Sequence, residues 1–487
     1  MGIKACDQCH WSKEKCSFTG ENRHHGCSRC RRLKFACTTS RATRRVGRRP
    51  TAKFFPHGKM QVWSVRPHTP ERDDHDDDDH HHHPSHERSP HSAEPERLLA
   101  APSTLQTTSD ALRAIEDVEQ FYAIHMPFML GANFAPNVRI AAYSVLSLTA
   151  PTLTEGYLAF LSLMTGYQAS PVLQRDKPDM RKAARGLQNL RSVRIRHEYD
   201  AACTLFLGQA MFVFNILTGA NSSTARSIAR SSIISTRAWY PRLVRIPAMD
   251  TVVITPVLLD TVECLARREV PVIRLDIPDR VIVDRYAGLC LTLLPLLYDL
   301  CQRSWTWKKT MVDADSKARG EVVVDDDDDD DWFVDIELAI REWKPAMPPF
   351  LFTQYGRHEI LIMFTQAKVY RLVALLIIHR LRYPFGVEDE AAIQLANGIF
   401  RELAFFARSA EMDSTALPVV FPLIVAMFEV EGAGEEILDS LSSFTIHSIC
   451  AVKLQGFVKQ VRAFRKSGFR GSWFDLVEEH LDAAMVP

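Results

Sequence analysis

Cys6-Asp-Gln-Cys9-His-Trp-Ser-Lys-Glu-Lys-Cys16 and Cys27-Ser-Arg-Cys30-Arg-Arg-Leu-Lys-Phe-Ala-Cys37 share one spacing, C-x2-C-x6-C, with ten residues between the copies. A C-x2-C lets two thiolates grip one ion, and six more residues allow a short helix before the third sulfur returns. Zinc takes four tetrahedral ligands. One ion would leave two thiols over, and two ions need eight ligand positions from these six sulfurs. Two cysteines must therefore bridge both ions. The resulting cluster is formally negative, and Lys4, Lys13, Lys15, Arg29, Arg31, Arg32 and Lys34 surround it and can offset that charge. A disulfide framework, a zinc store, or a ligand role for His10, His24 or His25 are the competing readings of the same stretch. The first needs an oxidising compartment, whereas the chain opens directly into the cluster without the apolar run of a secretion signal.

Charge is distributed as unevenly as cysteine. Residues 1–60 hold 15 Lys+Arg against 3 Asp+Glu, and the other 427 residues hold 44 against 56. A basic head on an acidic body points to a polyanionic partner, and nucleic acid comes before a membrane surface because the cations sit among cysteines. The other five cysteines, Cys203, Cys264, Cys290, Cys301 and Cys450, lie among apolar neighbours and read as small buried hydrophobes.

The cysteine pattern resembles the fungal zinc binuclear cluster (Zn2Cys6) family over residues 4–38. The resemblance implies two zinc ions per chain held by Cys6, Cys9, Cys16, Cys27, Cys30 and Cys37, with Cys6 and Cys27 as the bridging pair. It also implies a short helix placed in the DNA major groove. The family's first helix usually reads C-R-x-R-K-x-K-C from its second cysteine. Here Lys13 and Lys15 match that pattern, whereas His10 and Ser12 stand where arginines are usual, and Gly20 and Gly26 occupy a loop that commonly has proline. Expected DNA contacts are Lys13, Lys15, Arg31, Arg32, Lys34, Arg44, Arg45, Arg48 and Arg49, with Lys13 reading bases and the basic tail gripping phosphates.

Outward from the head, the organisation expected is a small zinc-nucleated module (1–40), a basic tail (41–58), a disordered His/Asp/Pro-rich linker (59–108) and a large all-α regulatory domain (109–487). The linker contains Asp76–Asp79 followed by His80–His83, a composition too polar to offset its ordering entropy. From Leu112 onward apolar residues recur at helical spacing: Leu112, Ile115, Val118 and Tyr122 first, then Ile362, Val369, Val373 and Leu376, and finally Leu454, Phe457, Val461 and Phe464. Alternating β-branched runs are few, so strands are a minor element at most. An acidic insert near 312–331 ends in seven aspartates, Asp325–Asp331, which repel one another and form a solvated loop. The uncharged run Ala201–Gly219 reads as a buried helix rather than a membrane span, because Gln209 and Asn215 interrupt it.

The body carries no G-x-S-x-G, P-loop, G-x-G-x-x-G or H-E-x-x-H motif, so no enzymatic activity is expected. The function expected is that of a nuclear, zinc-dependent, sequence-specific transcription regulator of RNA polymerase II genes. It would bind double-stranded DNA at CGG-like half-sites, with the transcription machinery or a coactivator as partner and no membrane. The family resemblance suggests a metabolic or biosynthetic gene set. The competing class is a sensor or enzyme that merely carries a zinc module. The acidic-aromatic stretches Asp325–Leu338 and Trp473–Glu479 read either as activation segments or as core helices with charged faces. Pairing through a coiled coil needs three or four heptads, and the Leu112–Tyr122 pattern lasts under two, so the expectation is a monomer on a single half-site or an asymmetric pair.

Overall fold

A computed structural model describes residues 16, 27–32, 37, 104–148, 154–169, 178–219, 222–317, 332–409, 417–439 and 448–487. The chain divides into two compact units, Met1–Glu94 and Pro95–Pro487. The basic tail, the tract through His80–His83 and the run Asp325–Asp331 lie outside the described residues.

Among its described residues the regular elements of the second unit are helices, and an irregular stretch over 268–289 holds an isolated bridge between Asp284 and Gly288. Helix α2 (Thr104–Glu116) begins inside the stretch read as linker, and α3 (Val118–His125) follows at once. The helical spacing of Leu112, Ile115, Val118 and Tyr122 runs across the junction between them. The Asp117 carboxylate accepts the backbone N–H of Gln120 at 3.0 Å and acts as an N-cap, which ends one helix and starts the next. Ala111, Ile115 and Phe121 are fully buried in the core, while Val118 is 48% exposed. The apolar face of α2 is thus occupied within its own unit.

Helices α4 (Ala135–Ser147), α5 (Thr154–Ala169), α6 (Met180–Ser192), α7 (Glu198–Leu217), α8 (Ser222–Thr236) and α9 (Asp250–Arg267) form one neighbourhood around α7. Helix α7 is apolar on nearly every face because α4, α5, α8 and α9 cover it. Its start is set by Asp200, whose carboxylate accepts the N–H groups of Arg196 and His197 and faces the positive end of the helix dipole. Two glycine contacts allow close packing. A Cβ on Gly186 would lie 2.5 Å from Gly156 Cα, and one on Gly208 would lie 2.2 Å from Ser232 Oγ.

A second neighbourhood surrounds α12 (Arg357–Arg382), against α11 (Val334–Glu342), α13 (Asp389–Ser409) and α14 (Val420–Glu429). Ile362, Val369, Val373 and Leu376 are at most 1% exposed, as their spacing predicts. Helix α10 (Leu294–Lys317) joins the two neighbourhoods and runs six residues into the stretch read as an acidic insert. Helices α15 (Ser448–Lys466) and α16 (Phe474–His480) close the unit, with Leu454, Phe457 and Val461 buried. Trp473, Phe474, Leu476 and Val477 are buried too, so the aromatic face of the Trp473 segment is core. In the Asp325–Leu338 stretch, Phe333 and Ile336 are buried, and Trp332 and Leu338 are exposed.

Helices α7 and α12 are long and apolar enough to cross a membrane by length and composition, but 72% and 67% of their most apolar windows are buried against neighbouring elements. Cys203, Cys264, Cys290 and Cys301 are fully buried, as expected of small hydrophobes. Burial pushes the thiols of Cys264, Cys290 and Cys301 well above the ordinary range.

Candidate zinc and DNA-binding site

In the first unit, helix α1 (Ser28–Arg32) begins as Cys27 O accepts the Arg31 N–H at 3.0 Å, which closes the first turn. That turn is what the C-x2-C spacing requires, since residues three apart on a helix share a face. Cys27 and Cys30 accordingly come together and are fully buried, while Arg31 and Arg32 on the same turn are exposed.

The sulfurs of Cys27, Cys30 and Cys37 all lie within 4.8 Å of one another. A tetrahedral zinc with Zn–S bonds of ~2.3 Å places its sulfurs roughly 3.8 Å apart, so these three need little movement to share an ion. Cys16 packs against the same cluster. The backbone contributes as well. Cys27 N–H donates to Cys37 Sγ at 3.2 Å, and Cys30 N–H donates to Cys27 Sγ at 3.4 Å. Such N–H···S contacts favour the thiolate form, the form that ligates metal. The donor set therefore fits zinc: three converging thiols, two of them fully buried, and amide donors aimed at two of the sulfurs.

Residues 4–46 match the family model of the fungal Zn(2)-Cys(6) binuclear cluster domain. The head is a zinc binuclear cluster domain. Such a cluster binds two zinc ions, and the converging cysteines are consistent with it. The family binds DNA and its members are typically transcription factors, so the matched head supports a zinc-dependent, DNA-binding role in transcription. The helical body lies beyond the matched residues. Neither a curated protein nor a solved structure matches the chain.

Of the expected ligands, the structure brings Cys27, Cys30 and Cys37 together with Cys16 beside them. Cys6 and Cys9 lie outside the described residues, as do Lys13, Lys15, Lys34, Arg44, Arg45, Arg48 and Arg49. Arg31 and Arg32 are solvent-facing on a helix whose opposite side is metal-binding in character. That arrangement places cations on the solvent side of the turn, where phosphate contacts are made.

The body holds a second polar constellation that the sequence reading did not single out: His125, Tyr157, Gln209, Thr255 and Arg285 around one cavity. Two signals were present. Pro256 interrupts an otherwise helical run, and the pair Asp284-Arg285 sits in a largely apolar stretch.

Proposed function

We propose that the chain is a nuclear, sequence-specific regulator of RNA polymerase II genes, governing a metabolic or biosynthetic set, with a head that reads CGG-like half-sites. The observation that carries this reading is the convergence of Cys27, Cys30 and Cys37 at the base of a turn whose outer side presents Arg31 and Arg32. In this reading all six head cysteines ligate, and Cys6 and Cys27 bridge. The ions supply the folding free energy of a module too small to build a core. Lys13 lies four residues past Cys9, so the cluster fixes the direction in which it leaves the helix. A lysine held that way donates to guanine O6 and N7 in the major groove. Lys15, Arg31, Arg32, Lys34 and the tail arginines 44, 45, 48 and 49 hold phosphates and release counterions.

The body acts as a regulatory scaffold without catalysis, and transcription machinery or a coactivator is its partner. Burial of Ala111 and Ile115 within the unit supports a monomer, because these residues are already packed and are not offered to a coiled coil.

The test titrates zinc-loaded Lys13→Ala and Arg48→Ala proteins against specific and scrambled duplexes at several salt concentrations. Lys13→Ala costs ~1–3 kcal/mol on the preferred site and relaxes its preference, whereas Arg48→Ala weakens all duplexes alike and lowers the salt slope by about one. Equal loss of specific and scrambled binding in Lys13→Ala would show that Lys13 is a phosphate contact.

A further inference from the structure

Arg285 is a cation set into the wall of an apolar cavity of about 120 Å³ in the helical unit. Its Nε donates to Thr251 O at 3.2 Å, one Nη to Phe128 O at 2.6 Å, and the other Nη to Gln209 Oε1 at 3.0 Å. All three acceptors are neutral, and among the described residues no carboxylate oxygen lies within 4.0 Å of the guanidinium. The adjacent Asp284 makes no hydrogen bond to it, since its Oδ1 accepts the N–H groups of Tyr286 and Ala287, although the two opposite charges still act on one another. Burial also holds the Asp284 carboxyl above its ordinary range. A guanidinium has five N–H donors. Three are used here, which leaves one on each terminal nitrogen, the pair that a carboxylate takes in a two-pronged contact.

The rest of the wall fits one anionic group on an apolar body. Phe128, Tyr157, Phe160, Phe206 and Tyr286 line it with rings. Thr255 Oγ is buried without a hydrogen-bond partner and lines the same space. His125 brings no second charge. Its Nδ1 lies 2.9 Å from Phe121 O, which can only accept, so that nitrogen carries the proton. Nε2 then accepts from the Tyr157 hydroxyl at 3.2 Å, and burial lowers the imidazole to about 4. A doubly charged ligand would leave one charge unmatched against a largely apolar wall. A purely neutral one would leave the two remaining N–H donors of Arg285 without a charged acceptor.

We propose that this cavity binds a small monocarboxylic acid, its carboxylate on Arg285 and Thr255 and its apolar body between the aromatic walls. The volume accommodates on the order of ten water-sized atoms, which sets the ligand at about the size of cinnamate. The inference stands on the helical unit alone, so its failure leaves the DNA-binding reading untouched.

The test uses the zinc-loaded full chain with benzoate, trans-cinnamate and hexanoate as probes, each beside its neutral amide, followed by calorimetry and thermal unfolding. At least one carboxylate should bind saturably at one per chain and raise the melting temperature, with its amide at least tenfold weaker. Ala210→Phe fills the cavity from α7, so it should abolish binding while keeping the fold. Arg285→Gln should erase the preference for acid over amide. If that variant does not fold, Ala210→Phe and the acid–amide ratio still decide. Three results would each overturn the proposal: no saturable binding by any of the three acids, equal binding of acid and amide, or undiminished binding in Ala210→Phe.

Discussion

The side-chain amide of Gln209 donates at 3.0 Å to the carbonyl of Val252, the acceptor that Pro256 leaves without its helical partner. A proline has no N–H, so the carbonyl four residues before it loses its intrahelical bond. Helix α7 supplies the missing donor to α9 and, through Gln209 Oε1, also holds Arg285. One amide thereby joins three segments.

Gln209→Leu should therefore destabilise the protein by ~1–3 kcal/mol, the cost of leaving a buried polar group unmatched. In a Pro256→Ala background, where residue 256 regains its N–H, the same change should cost less, with a coupling of ~0.5–3 kcal/mol in a double-mutant cycle. Urea unfolding of the four proteins measures it. Strict additivity would show that Gln209 does not serve the Val252 carbonyl.

A second core contact makes a sharper demand. Arg380 Nε lies 2.9 Å from Glu429 Oε1, both side chains are 0% exposed, and the same guanidinium meets Asp389 at 2.7 Å. Burial draws the Asp389 carboxyl upward, but bonds from Arg380 and Arg465 outweigh it and hold the group below its usual range. Arg380→Met should cost ~3–5 kcal/mol because it strands buried carboxylates. The double variant Arg380→Met/Glu429→Leu should recover a substantial part of that loss in the same unfolding assay.

Acid should act through His125. The native imidazole stays neutral down to about 4, whereas the unfolded one takes a proton near 6.5. Between those values the unfolded chain binds the extra proton. Stability from this group is thus fully present above pH 6.5 and falls as pH drops toward 4, by at most ~1.4 kcal/mol per pH unit. His125→Asn should remove that part of the slope. Urea unfolding followed by circular dichroism across pH 4.5–7.5 checks it, and identical slopes in both proteins would contradict the assignment.

These features differ in how far the sequence reveals them. The convergence of Cys27, Cys30 and Cys37 is legible because ligand spacing is a local property, and C-x2-C reports a turn before any packing is known. The faces of α12 and α15 were legible from period alone. The break at Asp117 was missed because Leu112, Ile115, Val118 and Tyr122 keep helical spacing across a cap. Pro256 and the pair Asp284-Arg285 mark the cavity only singly, since His125, Tyr157, Gln209, Thr255, Arg285 and Val486 come from well-separated positions. Periodicity says which face is buried and is silent on what buries it.

Metal content bears on the head alone. Elemental analysis of the full chain should give two zinc per chain, and Cys27→Ala should lower that ratio together with DNA affinity. A chelator should abolish DNA binding while leaving most of the helical signal, because the helices of residues 104–487 draw on a core of their own. A ratio of one in the unaltered protein would sink the bridged cluster.

The most direct measurement is selection by the zinc-loaded full chain from a pool of random duplexes, sequenced after several rounds at near-physiological salt. The account predicts enrichment of a CGG-like triplet, as a single half-site or an asymmetric pair, and loss of that enrichment in Lys13→Ala. Binding of all duplexes alike, with a steep salt dependence and no enriched triplet, would contradict it and leave the head a non-specific polyanion grip.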